Sequence, residues 1–323
     1  MSDSVEKKVK ERLDKLAEET GFPIEEILEI YNEKLSILKE KYQKKEVRPL
    51  ACRQTVIAVK WTIKQLKDVP PRYIYIVGDS GVRDRVEDIR RKAYRLWEQE
   101  PEKAVAQGLM TPDGMVIDTR KKVWGKDNPN YGMPLPDNIH AYERHLVGIV
   151  SDTPDFEECQ IGVIRAYDKR VEELKTVKLW RTYSFRAREK TTEDSTERVF
   201  NYNVGTRFIE IPNPYEPEEL LNKIEIYEVN NVPSLFKAYQ KKKKRPIVPV
   251  NVIVWRVSEG KNNVFVEPDS TDTVIMFPNF IPVNFTEGME VVFFGRIGKW
   301  REKYRINAMG YVIYKELPEE IGL

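Results

Sequence analysis

Five short runs of alternating or β-branched residues crowd the last quarter of the chain. They constrain the fold more than any other feature of the sequence. The runs are Val250–Val257, Asn263–Glu267, Thr273–Phe277, Met289–Arg296 and Lys303–Tyr314. Glu259-Gly260, Pro268-Asp269-Ser270 and Glu287-Gly288 supply turns between them. A sheet this small exposes unpaired N–H and C=O groups along its edges, and closing it on itself largely satisfies them. Pro278–Thr286 separates the third run from the fourth, and Gly295 offers a point where the backbone can bend at a barrel corner.

Five strands with an extra element between the third and the fourth follow the layout of the oligonucleotide-binding (OB) barrel. The segments VFVEPDSTDTVIMFP and EGMEVVFFGRIGKWREKYRINAMGYVIYK resemble an OB domain of the replication protein A type. The likeness lies in an acidic turn, an apolar strand, Gly-x-x-Val-x-x-x-Gly, and a last strand of mixed basic and apolar residues. Glu18-Glu19-Thr20-Gly21-Phe22-Pro23-Ile24-Glu25-Glu26-Ile27 is similar to a charged helical segment of archaeal replication protein A large subunits. The resemblance implies a binder of single strands, DNA before RNA, with replication-protein partners for the N-terminal helices. It also implies a cytoplasmic, nucleoid-associated protein. Many members of that family carry a Cys-rich zinc module, which two cysteines, Cys52 and Cys159, cannot build.

Upstream the pattern is mixed. Val5, Val9, Leu13 and Leu16, then Ile24, Ile27, Leu28, Tyr31, Leu35 and Leu38, recur at three- and four-residue steps on either side of Gly21-Phe22-Pro23. This spacing predicts a helical hairpin. Gln54–Leu66 reads as a further helix, Tyr73–Val77 as a strand, Gly78–Gly81 as a turn, and Val82–Glu100 as a helix with Val86, Ile89, Ala93 and Leu96 on one stripe. Residues 101–145 are turn-rich and read as a long elaborated connection with one hairpin. Strand signals return at Leu146–Val150, Gln160–Ile164 and Thr176–Arg188, and Phe200–Ile211 reads as a strand pair or one bent strand. Glu218–Lys242 reads as mostly helical. The expected class is α+β. The expected organisation is an N-terminal helical segment over 1–46, a central OB-like domain over 47–215 with an insertion at about 80–145, and a C-terminal OB-fold domain over 216–323.

Holding a single strand takes cations that follow the phosphates and flat side chains that stack on bases. Along Thr176–Arg188, alternation puts Lys178, Trp180, Arg186 and Arg188 on one face and Val177, Leu179, Tyr183 and Phe185 on the other. Near the end of the chain, Arg296, Trp300, Lys303, Tyr304 and Arg305 cluster around one hairpin, and Trp255 alternates with Ile253 and Val257. These ten residues are the candidate nucleic-acid site. A strand tryptophan also serves as core, Tyr304 also suits a barrel interior, and alternating Lys and Arg also mark a solvated edge. Both readings stand at this point. The basic run Lys241–Arg245 suits a charged linker or a supplement to phosphate binding.

Composition narrows the classes. The 323 residues carry 54 basic and 52 acidic side chains, a net charge of +2, so any nucleic-acid site must be a local patch. Charged residues reach 33% against a usual ~25%, a balance that leans toward a heat-adapted host. His140 and His145 are the only histidines, which leaves no His-rich metal site. No apolar run approaches the ~18 residues of a membrane span, and the charged N-terminus is unlike a signal peptide. Gly78-Asp79-Ser80-Gly81 matches the nucleophile sequence of chymotrypsin-like proteases, but both histidines follow it, the reverse of that order. Asp79, Asp84 and Asp113 lack the clustering that nuclease metals need. We therefore expect a non-enzymatic binder without cofactor or metal. The alternative is an OB-fold assembly subunit of a replication or transcription complex with little affinity for nucleic acid.

Overall fold

The computed structural model describes residues 11, 14, 15, 17, 18, 21–41, 69–123, 126–168, 170–190, 197–202, 206–241, 245–269, 272–300 and 302–315. In chain order, α1 is Ile24–Lys41, β1 Arg72–Asp79, β2 Arg83–Asp84, α2 Arg85–Gln99, α3 Pro101–Ala106, β3 Lys122–Val123, β4 Lys126–Asp127, β5 Tyr142–Ser151, β6 Gln160–Tyr167 and α4 Arg170–Glu173. Then come β7 Thr182–Phe185, β8 Glu189–Lys190, β9 Glu197–Asn201, β10 Phe208–Ile211, α5 Pro217–Leu221, β11 Tyr227–Glu228 and α6 Val232–Lys241. The last five strands are β12 Ile247–Glu259, β13 Asn263–Pro268, β14 Thr273–Pro278, β15 Glu290–Trp300 and β16 Lys303–Lys315. Two compact units result: Met1–Asp79 with Leu146–Ile164 and Val177–Leu323, and Ser80–His145 with Arg165–Thr176.

The five C-terminal strands close on themselves. β12 pairs antiparallel with β13, and β13 with β14. β14 runs parallel to β16, β16 pairs antiparallel with β15, and β15 returns to β12. This ring, first–second–third–fifth–fourth–first with one parallel pair, is the OB-fold order that the sequence pattern predicts. Alternation explains the inside: Val264, Val266, Ile275, Phe277, Ile306 and Ala308 point inward and are buried. Gly295 sits at a register shift in β15, where an added Cβ would lie 2.6 Å from the Asn307 carbonyl oxygen. The Pro278–Thr286 stretch holds no helix; it plugs the barrel with Ile281 and Phe285, while α6 lays Val232 against the same core.

The upstream strands form a second set, in the order β10–β7–β1–β5–β6–β9. β1 pairs antiparallel with β5 and with β7, β5 neighbours β6, β6 neighbours β9, and β7 pairs with β10. β9 and β10 are two strands on different neighbours, as the strand-pair reading of Phe200–Ile211 allowed; residues 203–205 between them lie outside the described residues. The second compact unit interrupts this set twice, at 80–145 between β1 and β5 and at 165–176 between β6 and β7. Two sequence readings need correction. Thr176–Arg188 is a strand only over Thr182–Phe185, because a 3₁₀ turn at Leu174–Thr176 and a positive φ of 56° at Trp180 break the alternation. Gly78 and Asp79 still belong to β1. Glu218–Lys242 is mostly helical, as read: α5, a 3₁₀ turn at Val229–Asn231 and α6 cover most of its described residues, with β11 before the turn. The helix read over Gln54–Leu66 lies outside the described residues. So does the first helix of the hairpin, apart from Glu11, Asp14, Lys15, Ala17 and Glu18, which are helical. α1 buries Ile27, Ile30 and Tyr31, and its Glu26 and Glu29 pair with Arg207.

The two strand sets share an apolar layer. β15 places Val291 and Phe293 inside its own barrel, and Val292 and Phe294 against Tyr75, Val77, Val147 and Ile149 of the other set. With both faces buried, the strand reads as a continuous apolar run rather than an alternation. At the centre of this layer β1 pairs with β16 through Gly78 and Gly310. An added Cβ on Gly310 would lie 1.9 Å from the Val77 carbonyl oxygen, so backbone meets backbone here. Trp180 closes the junction. Its amide donates to the Ile76 carbonyl (2.7 Å), and its indole Nε1 donates to the Tyr311 carbonyl (3.0 Å). The ring meets Tyr311 edge-on at 5.6 Å.

The second unit has its own core of Val86, Ala93, Ala104, Leu109, Met110, Val116 and Leu135. The Val86–Ile89–Ala93–Leu96 stripe faces it, as the sequence spacing predicts. Asp84 caps α2 by accepting from the Val86 amide (2.9 Å). A buried carboxylate fixes the base of the β3–β4 hairpin: Asp118 accepts from Arg120 Nε (2.9 Å) and Nη2 (2.6 Å) and from Asn128 Nδ2 (3.0 Å). Burial alone would raise the Asp118 carboxyl. The hydrogen bonds from Arg120 and Asn128 outweigh it and hold the group below its ordinary value.

Gly310→Ala is expected to lose about 1–3 kcal/mol of stability by thermal circular dichroism, since backbone atoms must move to admit the methyl group. An unchanged melt would show that the strands do not touch there. Trp180→Ala removes a packed ring and leaves the Tyr311 carbonyl without its donor; a loss of about 2–4 kcal/mol is expected in the same assay. Because the folded Asp118 is more acidic than its unfolded counterpart, its contribution is present above about pH 4 and fades as pH falls through the lower folded value. Melts between about pH 6 and pH 3 should therefore show wild type losing more stability than Asp118→Asn; parallel curves would remove Asp118 from the account.

Candidate nucleic-acid interface

Residues paired directly across strands project from the same side of a sheet. Phe265 pairs with Met276, Met276 with Asn307, Arg305 with Gly298, and Lys303 with Trp300. These side chains therefore belong to the outer face of β13, β14, β16 and β15. Their neighbours in the chain, Val264, Val266, Ile275, Phe277 and Ile306, fill the barrel. At the end of the β15–β16 hairpin, Trp300 lies nearly parallel to Phe265, with ring centroids 6.2 Å apart and planes 28° from coplanar. Trp300 is 40% exposed. The result is an open, two-ring platform on a rigid sheet.

Cations stand beside the platform. Lys303 is exposed and directly opposite Trp300. Arg305 lies two residues further along the same face, half-buried, and its Nε has no hydrogen-bond partner among the described residues. A guanidinium held with an unused donor suits an anion, because the site has already met part of the desolvation cost. Flat rings next to such cations are the two components that single-strand binding needs.

The other candidates are placed differently. Arg296 pairs with Glu197 (3.6 Å) and donates to the Arg245 carbonyl, so its charge ties strand ends together. Tyr304 turns to the other side of the hairpin, edge-on to Phe236 of α6 at 5.7 Å, with the Lys299 ammonium 5.2 Å from its ring centre. Trp255 is 64% exposed on β12 beside exposed Ile253, at a register shift. No ring contact joins it to the Phe265–Trp300 pair among the described residues. In the upstream set, Arg186 and Arg188 are exposed and alternate with buried Phe185 and Ala187. Lys178 is exposed on the preceding turn, and Trp180 is committed to the junction between the strand sets. Of the four residues Lys178, Trp180, Arg186 and Arg188, only the two arginines share an alternating outward register. The sequence reading overlooked Phe265 and Met276; Val264 and Val266 flanking Phe265 as inward residues already mark it as outward.

Other chemistry singled out by the sequence is locally engaged. Ser80 Oγ donates to the Gly81 carbonyl (2.9 Å) and accepts from the His145 amide (2.8 Å). His140 Nδ1 lies 2.6 Å from the Asp84 cap, and its ring stacks on Tyr142. Among the described residues no group of three or more His, Cys, Asp or Glu side chains is placed to hold a metal ion.

No family model and no curated protein matches the chain. Among solved structures, it is similar to a murine DNA-binding protein bound with double-stranded DNA, at 9% identity and a TM-score of 0.27, over 75% of this chain and 96% of that one. The Ifi202 HINa domain in complex with a 20-base-pair duplex matches at 7% identity and a TM-score of 0.31, over 74% and 91%. The single-stranded DNA-binding protein from Thermus aquaticus matches at 9% identity and a TM-score of 0.19, over 78% and 96%. Likenesses this low carry no weight in the assignment of the fold, which rests on the strand pairing itself.

Proposed function

We propose that this chain is a single-stranded nucleic-acid-binding protein of the replication protein A type, acting on DNA before RNA. The observation that carries the reading is the Phe265–Trp300 platform beside Lys303 and Arg305 on the outer face of a closed OB barrel. Bases stack on the two rings, Lys303 and Arg305 neutralise the adjoining phosphates, and Asn307 and Met276 line the approach. Stacking accepts any base, so sequence preference is weak. The protein works by holding strands and makes or breaks no bond. Arg186 and Arg188 extend the cationic path on the central domain. In this reading the chain is organised as 1–46, 47–215 and 216–323, with the last segment the principal binder and the N-terminal helices open to replication partners. Among the described residues no helix is long and apolar enough to cross a membrane, and the proposed place of action is on the nucleoid.

The test is a fluorescence-anisotropy titration with labelled oligo-dT at low salt. Tight binding that weakens steeply with added salt is expected. Trp300→Ala should cost about 1–3 kcal/mol of affinity, the worth of one stacked base, while the melting temperature stays near wild type. Phe265→Ala should behave alike. Failure of the wild-type protein to bind oligo-dT, or duplex bound more tightly than oligo-dT, would overturn the proposal.

A further inference from the structure

A second concave site lies at the junction of the two strand sets, away from the Phe265–Trp300 platform. It is a cleft of about 880 Å³, the size of a pocket that takes a small molecule or a short peptide segment. Tyr75, Trp180, Tyr311, Tyr314 and Lys315 line it together with Glu216 and Glu218; Tyr75 and Tyr311 are buried, and the rings with exposed area are those of Trp180 and Tyr314. The two carboxylates follow from the local chain: Pro217 opens α5, and acidic residues are favoured at such a helix start. Both glutamates are exposed, and neither is paired with a cation among the described residues. Glu216 is close enough to Tyr75 for its charge to act on the phenol; burial first and that charge second push the hydroxyl above its ordinary value. The ring faces already take one ammonium: Lys315 Nζ sits 5.1 Å from the Tyr314 ring centre and 3.4 Å from Glu290.

Each property points the same way. Unpaired carboxylates repel phosphate, so the cleft is not a continuation of the nucleic-acid face. Ring faces are electron-rich and attract cations, more strongly where water is excluded. The volume exceeds what one side chain fills. We propose that the cleft is a docking site for a basic peptide segment of a partner protein, which seats a lysine or arginine side chain against the partly exposed rings of Trp180 and Tyr314 and against Glu216 and Glu218. The barrel unit would then carry two opposed specificities, an anionic strand on one face and a cationic peptide in the other site.

The experiment is isothermal titration of the full chain with a hexa-arginine peptide at low salt, with hexa-glutamate as control. One saturable site for hexa-arginine and none for hexa-glutamate is expected. Glu216→Gln/Glu218→Gln should weaken that site about tenfold or more with an unchanged melt, since both side chains are exposed. Trp300→Ala should bind the peptide as wild type does, which keeps this outcome separate from the oligo-dT titration. No saturable binding by wild type, or equal affinity in the double glutamine variant, would overturn the proposal whatever the result with DNA.

Discussion

The protein depends on a place where two backbones touch. β1 and β16 belong to different strand sets, and they pair through Gly78 and Gly310 because neither residue has a side chain to hold them apart. That approach brings the outer face of β15 onto the outer face of β1 and β5. Val292 and Phe294 then find partners in Tyr75, Val77, Val147 and Ile149. The two strand sets therefore share buried apolar area instead of each facing water with an exposed sheet, and at roughly 25 cal/mol per Å² such a layer outweighs the entropy lost by glycine in a strand. Trp180 spans the same junction, donating to Ile76 of one set and to Tyr311 of the other.

Much of the C-terminal barrel was legible in the sequence. All five strand signals there correspond to strands: β15, buried on both faces, shows as a continuous apolar run, and the others keep alternation where one face meets water. The central set was harder to read for identifiable reasons. β7, β9 and β10 are only four or five residues long, and the second compact unit interrupts the set twice. Thr176–Arg188 alternates like a strand, yet a non-glycine residue in the left-handed region leaves no mark in the sequence, and Trp180 is held there by tertiary hydrogen bonds to Ile76 and Tyr311. Gly78 looked like turn chemistry because a glycine needed for close approach and one needed for a positive φ are the same letter.

The candidate interface was half legible. Trp300, Lys303 and Arg305 were found through residue type and proximity to one hairpin. Phe265 was not, since its contact with Trp300 is made across strands far apart in the chain. Charge alone was a poor guide. Arg296, Arg198, Arg207 and Arg120 are all committed to carboxylates inside the protein. Of a chain with nearly balanced charges, the cations that matter for an anionic ligand are those whose partners were never supplied, and only packing reveals which they are.

The insertion is attached in an unusual way. The chain enters and leaves the second unit twice, at 79–80, 145–146, 164–165 and 176–177, because β5 begins in it and β6 ends in it. Tyr142 and Asp168 clasp these two strands there, amide to carboxylate and amide to carbonyl. The excursion is thus no detachable loop hung on one hinge but a graft spliced into two strands of the upstream set. Excising residues 80–145 alone would strand 165–176 without its mate. Removing the whole unit from the chain would take a cut in both places at once.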